Sequence, residues 1–200
     1  MILGYHVVFT TYGFWLPNDP RGSWSDFVAS WALFRHGPAT KTDERISVAK
    51  KPHDSQARKE AKASLKYPPV EFDGNQARAV GDGIAAKVRK GKYVIWACSI
   101  LPSHIHMVIG RHTFKVEQMV NLMKGSATRE LIKQNLHPFQ KFKDKKDRIP
   151  KCWARKEWKV FLDSLEDIEH AIKYVEDNPI KDGKPAQKWS FVTPFTGIEV

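Results

Sequence analysis

The stretch 96–110, WACSILPSHIHMVIG, contains two apolar runs joined by a short connection. This spacing predicts a β-hairpin, with strands over Tyr93–Ile100 and His104–Gly110. Since successive side chains of a strand point to opposite faces, His104 and His106 share one face, and Ile105, Met107 and Ile109 share the other. Two neutral imidazoles fixed on one face can bind a divalent metal ion together. The alternative is a strand with two incidental histidines on its solvated face, because His-x-His is a short pattern.

Hydrophobic periodicity and turn residues predict the other elements. In chain order they are a strand at Gly4–Tyr12, a short helix at Ser25–Phe34, helices at His53–Leu65, Asn75–Lys90 and Lys115–Lys133, a strand at Glu157–Leu162 and a helix at Leu165–Asp177. The polar stretch Gly37–Pro69 is an excursion from the core, and the insertion as a whole covers about 25–72. Without it, the order of elements predicts an α+β fold of the ferredoxin-like plan, an antiparallel sheet with helices on one face and a further C-terminal helix. We expect one domain at 1–183 and a tail at 184–200.

The net charge of +11 over 200 residues indicates a polyanionic partner, and nucleic acid is the leading candidate. The basic segment Lys141–Lys159 carries nine lysines and arginines, with Trp153 and Trp158 among them. Interleaved cations and aromatic rings suit phosphate contacts combined with base stacking. The alternative is a protein that is merely basic, with this segment as a solvated charged loop.

Two other features of the sequence exclude classes of protein. No apolar run approaches the roughly 20 residues that span a bilayer, and the N-terminal residues lack a basic region followed by a cleavage site. We therefore expect a cytoplasmic protein with no membrane association. Cys98 and Cys152 are far apart in the sequence, so we expect ordinary buried or half-buried thiols rather than a disulfide framework or a cysteine metal site.

The predicted C-terminal helix carries a second set of chemically active side chains. Tyr174 and Asn178 are four residues apart and lie on one helix face, which His170 extends by another turn. A tyrosine hydroxyl is a weak nucleophile unless a nearby cation or base favours the phenolate. The carbonyl of Asn178 could supply an oxygen ligand beside two imidazoles. Alternatively, Tyr174 packs its ring against the core and Asn178 only ends the helix before Pro179.

Two of these stretches resemble motifs of a known family. LPSHIHMVI (101–109) resembles the HUH motif, and YVEDNP (174–179) resembles the tyrosine helix of the REP-associated tyrosine transposases, relatives of the single-tyrosine transposases of small bacterial insertion sequences. The stretches YHVVFTTYGFWLP (5–17), MVNLMKGSATREL (119–131) and CWARKEWKVFL (152–162) are similar to that family as well. The resemblance covers the chain from about Gly4 to Gly183 and does not obviously include the Gly37–Pro69 excursion.

The resemblance implies the activity of an HUH tyrosine transposase. In this chain it implies that His104 and His106 bind Mg²⁺ or Mn²⁺, that Asn178 completes the metal site, and that Tyr174 attacks a phosphodiester of single-stranded DNA. The product is a 5′-phosphotyrosine link, from which the free 3′-OH can rejoin the strands. Many single-tyrosine relatives have glutamine where this chain has Asn178, so direct ligation by the shorter amide stays open. The choice between a monomer and a homodimer stays open too.

The substrate that the resemblance implies is single-stranded or hairpin DNA, held by basic and aromatic surfaces. The residues expected to contact it are Lys124, Arg129, Lys143, Lys145, Lys146, Arg148, Arg155 and Lys156. Of these, Lys124 and Arg129 are expected on the exposed side of their helix. Two other functions remain: a non-catalytic ferredoxin-like nucleic-acid-binding module, and a metal-dependent hydrolase that uses water as its nucleophile.

Overall fold

The computed structural model describes residues 1–14, 16–17, 28, 30–39 and 54–197. Its elements are β1 (Gly4–Thr11), α1 (Trp31–Phe34), α2 (Ser55–Ala63), α3 (Gly74–Gly91), β2 (Ile95–Ile100), β3 (His104–Gly110), α4 (Val116–Lys133), a 3₁₀ turn (Gln140–Phe142), β4 (Trp153–Leu162) and α5 (Leu165–Lys181). Where α1 and α2 are left aside, the order is strand, helix, strand, strand, helix, strand and terminal helix. This order is the predicted one.

The four strands form one antiparallel sheet in the order β2-β3-β1-β4. The hairpin strand β3 therefore lies inside the sheet, between β2 and β1. Across the β1–β3 pair, Val8 lies opposite His106 and Thr10 lies opposite His104. The sheet and the helices packed on it confirm the predicted α+β, ferredoxin-like fold.

Helices pack on both faces of this sheet. The core on the α3 and α4 side contains Ile105 and Met107 of β3, both fully buried. On the opposite face, Ala171 and Val175 of α5 pack against Val108. Because the side chains of β3 alternate, its residues 105, 107 and 109 serve the first core, and its two histidines lie with Val108 on the face that α5 covers.

The closest approach between α3 and α4 depends on a glycine. A Cβ added to Gly83 would come within 2.6 Å of the Cα of Ala127, so a larger residue would push the two helix backbones apart. The start of α3 is fixed by a capping box, in which the Asp73 side chain accepts the Gln76 N–H at 2.8 Å and the Gln76 side chain accepts the Asp73 N–H at 3.1 Å. These local features position the helical layer behind the histidine strand.

The C-terminal tail runs along the outer edge of β2. The Gln187 side chain accepts the N–H of Ile100 and donates to the carbonyl of the same residue, each at 2.8 Å. Further along, Thr193 donates its N–H to the carbonyl of Ile95 at 2.8 Å. The tail therefore satisfies backbone groups that an edge strand would otherwise leave without partners.

Most predicted boundaries agree with the observed ones to within two residues. The strand predicted at Glu157–Leu162 begins earlier, at Trp153, because Trp153 pairs with Thr11 beyond a register shift. The helix predicted at Ser25–Phe34 is found only over its last four residues, and positions 25–27 and 29 lie outside the described residues. Within the excursion, positions 40–53 also lie outside them.

The end of the last helix differs from the prediction. The Asn178–Pro179 pair was expected to stop the helix, but α5 continues through Pro179 to Lys181. Proline in a helix interior costs about 3 kcal/mol, because the hydrogen bond from its nitrogen to the Val175 carbonyl is missing and its ring crowds that carbonyl. The packing of the apolar face of α5 on the sheet offsets this cost. Beyond the proline, the N–H groups of residues 182–184 bond back to carbonyls of 178–180 and close the final turn.

Both cysteines are buried and neither forms a disulfide, as predicted. Among the residues that the structure describes, no helix is both long enough and apolar enough to cross a membrane.

Candidate active site

The two hairpin histidines lie side by side on the α5 face of β3. Their ring centroids are 5.0 Å apart, and His106 is buried while His104 is half-buried. The Nδ1 atom of His104 lies 3.2 Å from the hydroxyl of Ser103, and the ring of Phe14 packs 5.2 Å from the His104 ring. The predicted alternation of β3 is thus confirmed, and both imidazoles are available to one site.

A third histidine, His6 of β1, belongs to the same cluster and was not among the predicted site residues. Its Nε2 atom lies 3.2 Å from Nδ1 of His106, and the two rings stack with centroids 5.4 Å apart. The signal that could have found it is the fold itself, since β1 is the neighbour of β3 in the ferredoxin-like plan. Alternation along β1 then places His6 on the same face as Val8, the residue opposite His106.

Burial keeps the imidazoles of His6 and His106 neutral. It lowers the pKa of His6 to about 4 and lowers the pKa of His106 well below its usual 6.5, and the neighbouring His104 and His6 add to the shift at His106. A neutral imidazole has a lone pair to offer, which is the form that binds a metal ion. The site is therefore prepared for a cation or a hydrogen-bond donor at neutral pH.

Tyr174 of α5 packs directly on the histidines. Its ring centroid is 5.6 Å from that of His6 and 5.6 Å from that of His106, and the residue is 40% exposed. Burial raises the pKa of the Tyr174 hydroxyl above 10, and Asp182 raises it further. The ammonium of Lys181 lies 5.1 Å from the ring centre. The phenol is thus protonated at neutral pH and needs a cation or base to become a strong nucleophile.

Asn178 lies one turn beyond Tyr174 and is half-buried. Its Nδ2 atom is buried and has no hydrogen-bond partner among the residues that the structure describes. The structure therefore brings Tyr174 to the histidines, whereas the predicted role of Asn178 as a metal ligand remains a prediction. His170, which was expected to extend this stripe, is exposed.

Two more buried polar groups border the histidine pair. In the part of the chain that the structure describes, the buried hydroxyls of Thr10 and Ser99 have no hydrogen-bond partner, and these residues lie opposite His104 and His106 in the neighbouring strands. Buried polar atoms without partners are uncommon and fit a site that is completed by an ion or water. Within the described ranges, no three His, Cys, Asp or Glu side chains could hold a metal ion together. Two histidines alone would leave most coordination positions of an ion to water, to an amide or carbonyl oxygen and to substrate phosphates.

The predicted DNA-binding residues fall into two groups. Seven are exposed, namely Arg129, Lys143, Lys145, Lys146, Arg148, Arg155 and Lys156. Among them, Lys143 pairs with Asp147 at 2.8 Å and Arg148 pairs with Asp144 at 2.7 Å. These exposed ion pairs are weak and exchange readily with another anion.

The prediction that Lys124 lies on the exposed side of its helix is wrong. Lys124 is 6% exposed, its ammonium donates to the Ala154 carbonyl at 3.1 Å, and the same group lies 3.8 Å from a carboxylate oxygen of Glu157. The periodicity of α4 explains this, since position 124 falls on the stripe of the buried residues Val120, Ala127 and Leu131. Its ammonium is engaged inside the protein, so Lys124 leaves the set of surface cations.

No protein-family model matches the chain, and no curated protein matches it in sequence. Solved structures similar to it include a REP-associated tyrosine transposase bound to a REP hairpin, with 12% identity, a TM-score of 0.48, and coverage of 92% of this chain and 70% of the other. Another, from Deinococcus radiodurans, carries the name "putative transposase", with 11% identity, a TM-score of 0.41, and coverage of 93% and 94%. Both names agree with the family that the sequence motifs resemble.

Proposed function

We propose that this protein is a metal-dependent single-strand DNA transposase or endonuclease, which cleaves and rejoins DNA at hairpin-bearing sites through a 5′-phosphotyrosine intermediate. The observation that carries the proposal is the contact of the Tyr174 ring with the buried, neutral imidazole of His106, at 5.6 Å between centroids. A nucleophile candidate on one element and a pair of lone-pair donors on another meet at one point of the sheet. That convergence is what phosphoryl transfer to a side chain requires.

The residues divide the chemistry between them. His104 and His106 would hold Mg²⁺ or Mn²⁺, and the Asn178 carbonyl is the candidate for a third ligand. When bound, the ion polarises the scissile phosphate and stabilises the charge that develops on the leaving 3′ oxygen. The Tyr174 oxygen forms the new bond to phosphorus while the bond from phosphorus to the 3′ oxygen breaks, and the phenolic proton is released. The freed 3′-OH can later attack the phosphotyrosine and rejoin the strands, so no nucleotide cofactor is needed.

The exposed cations would hold the DNA. No carboxylate of the described residues pairs with Lys145 or Lys146, so their charge is available to phosphates, while Lys143 and Arg148 can exchange their aspartates for phosphates. Each phosphate contact to a single strand contributes a slope of about −0.7 to the dependence of log affinity on log salt. Replacing both Lys145 and Lys146 by alanine should therefore flatten the slope by about 1.4. A matched control is Arg89→Ala with Lys90→Ala, two exposed cations at the end of α3, on the face of the sheet opposite α5.

The direct test is covalent capture. Labelled single-stranded DNA hairpins are incubated with the protein and Mn²⁺ or Mg²⁺, and the products are separated under denaturing conditions. We expect a metal-dependent adduct that is lost in Tyr174→Phe and in His106→Ala. Tyr5→Phe is the matched control, because Tyr5 lies on the same strand as His6 but packs against Phe161 on the other face.

Each other outcome identifies a different function. An adduct that persists in Tyr174→Phe would remove Tyr174 as the nucleophile. Metal-dependent cleavage without any adduct, unchanged in Tyr174→Phe, would identify a hydrolase that uses water. Binding without cleavage on hairpins of varied sequence would leave a non-catalytic nucleic-acid-binding module.

A further inference from the structure

The buried imidazole of His6 has no part in the chemistry described so far. It is 8% exposed, and its hydrogen-bonding partner among the described residues is His106, at 3.2 Å. Burying a polar ring costs free energy unless its hydrogen bonds are made, so a site for His6 inside the sheet needs a reason. We find that reason in the contact between Nε2 of His6 and Nδ1 of His106.

The contact with His6 decides which nitrogen of His106 can face a ligand. Nδ1 of His106 is engaged with Nε2 of His6, so Nε2 of His106 is the atom left for the site. Both rings are neutral, and each carries a single N–H. If Nε2 of His106 offers its lone pair, its proton is on Nδ1 and is donated to Nε2 of His6, whose own proton is then on Nδ1. The pair has one tautomeric arrangement that suits a ligand at His106.

The His6 ring is itself held from two sides. Trp158 packs edge-on against it with centroids 5.4 Å apart, and Tyr174 packs against it at 5.6 Å. The same tyrosine ring contacts His106 at 5.6 Å. His6 therefore fixes the orientation of His106 and supports the ring of Tyr174.

We propose that His6 is a positioning residue, which holds His106 in the tautomer and rotamer that present Nε2 to the metal ion; this deepens the function proposed above and rests on it. A histidine that binds a metal through one ring nitrogen usually donates the N–H of its other ring nitrogen to a carboxylate or a carbonyl. A neutral imidazole does the same without adding negative charge beside the phosphate that Tyr174 would attack. The arrangement suits a polyanionic substrate.

The test measures the tautomer of His106 and the affinity for a metal ion in separate experiments. Long-range ¹⁵N–¹H NMR of the protein without metal should show His106 protonated at Nδ1 in the wild type, and a mixture of tautomers in His6→Leu. Mn²⁺ binding, followed by the electron paramagnetic resonance of free Mn²⁺, should weaken about 10- to 100-fold in His6→Leu. His6→Gln, which keeps an acceptor near the position of Nε2, should restore most of the affinity.

The matched control is His137→Leu, which removes another buried histidine, 3% exposed, whose Nδ1 accepts the Phe139 N–H away from this site. It should leave Mn²⁺ affinity unchanged, while thermal unfolding reports the stability of every variant. The inference is overturned if wild-type His106 carries its proton on Nε2, or if His6→Leu binds Mn²⁺ like the wild type. A loss in His6→Gln as large as in His106→Ala would make His6 a direct ligand and would also overturn it. The predicted tautomer in a wild type that binds no Mn²⁺ would support the positioning role and refute the proposed metal dependence.

Discussion

Replacing the buried Lys124–Glu157 ion pair by apolar residues should stabilise the protein. Both side chains are less than a tenth exposed, at 7% and 8%, and the charged atoms are 3.8 Å apart. At an effective dielectric constant of 20 their attraction is about 4 kcal/mol, and removing the ions from water costs several kcal/mol each. Burial lowers the pKa of Lys124 and raises the pKa of Glu157, so for each group the cost of burial exceeds the attraction.

The double variant Lys124→Met with Glu157→Leu should therefore gain about 1 to 4 kcal/mol in the free energy of unfolding. For a chain of this size, each kcal/mol corresponds to a rise of about 2 to 4 °C in Tm. The measurement is thermal and urea unfolding followed by circular dichroism at neutral pH. Affinity for hairpin DNA should not change, because neither charge reaches the surface. A double variant that is less stable than the wild type by about 1 kcal/mol or more would refute the reasoning.

The single variant Lys124→Met gives an independent check of the direction in which stability changes with pH. It leaves Glu157 buried without its cation, so the pKa of this carboxyl rises further above its usual 4.5. A group whose pKa is raised by folding contributes stability at low pH, and this contribution is lost as the pH rises through the folded-state pKa. Lys124→Met should therefore be more stable at mildly acidic pH than at neutral pH, relative to the double variant. Equal pH profiles for the two variants would contradict this account.

Three further predictions concern packing. Leu131→Ala removes a fully buried side chain from α4 and should lower the free energy of unfolding by about 2 to 5 kcal/mol, as measured in urea. Gly81→Ala should loosen the C-terminal tail and speed its cleavage in limited proteolysis, because the new Cβ would lie 2.2 Å from the Trp189 ring; equal cleavage rates would argue against this contact. Cys98 and Cys152 should resist thiol reagents until the protein unfolds, since both are buried and burial raises the pKa of Cys152 to about 12.

The part of the site that sequence could predict is local. Alternation along one strand placed His104 and His106 on a common face, and helical spacing placed Tyr174 and Asn178 on a common stripe. His6 could not be found in this way, because its partner is 100 residues away and only the pairing of β1 with β3 brings them together. Its position becomes predictable once the ferredoxin-like strand order is taken as given.

Two errors came from giving residue type more weight than position. Lys124 was assigned to the surface because of its charge, although helical spacing aligns it with buried neighbours on α4. The general preference of proline predicts the end of α5 before Pro179, although the packing of this helix on the sheet offsets the cost of an interior proline. In both cases tertiary packing outweighed the usual preference of the side chain.

The tail that pairs with β2 makes the two edges of the sheet unequal. Gln187 and Thr193 occupy the polar groups of one edge, while β4 pairs with β1 alone among the described strands. Among the described residues, the β4 edge is therefore open to hydrogen bonding with the sheet of a second copy, whereas the tail obstructs the β2 edge. Pairing through β4 alone closes a two-fold dimer and leaves no second edge on which a fibre could grow.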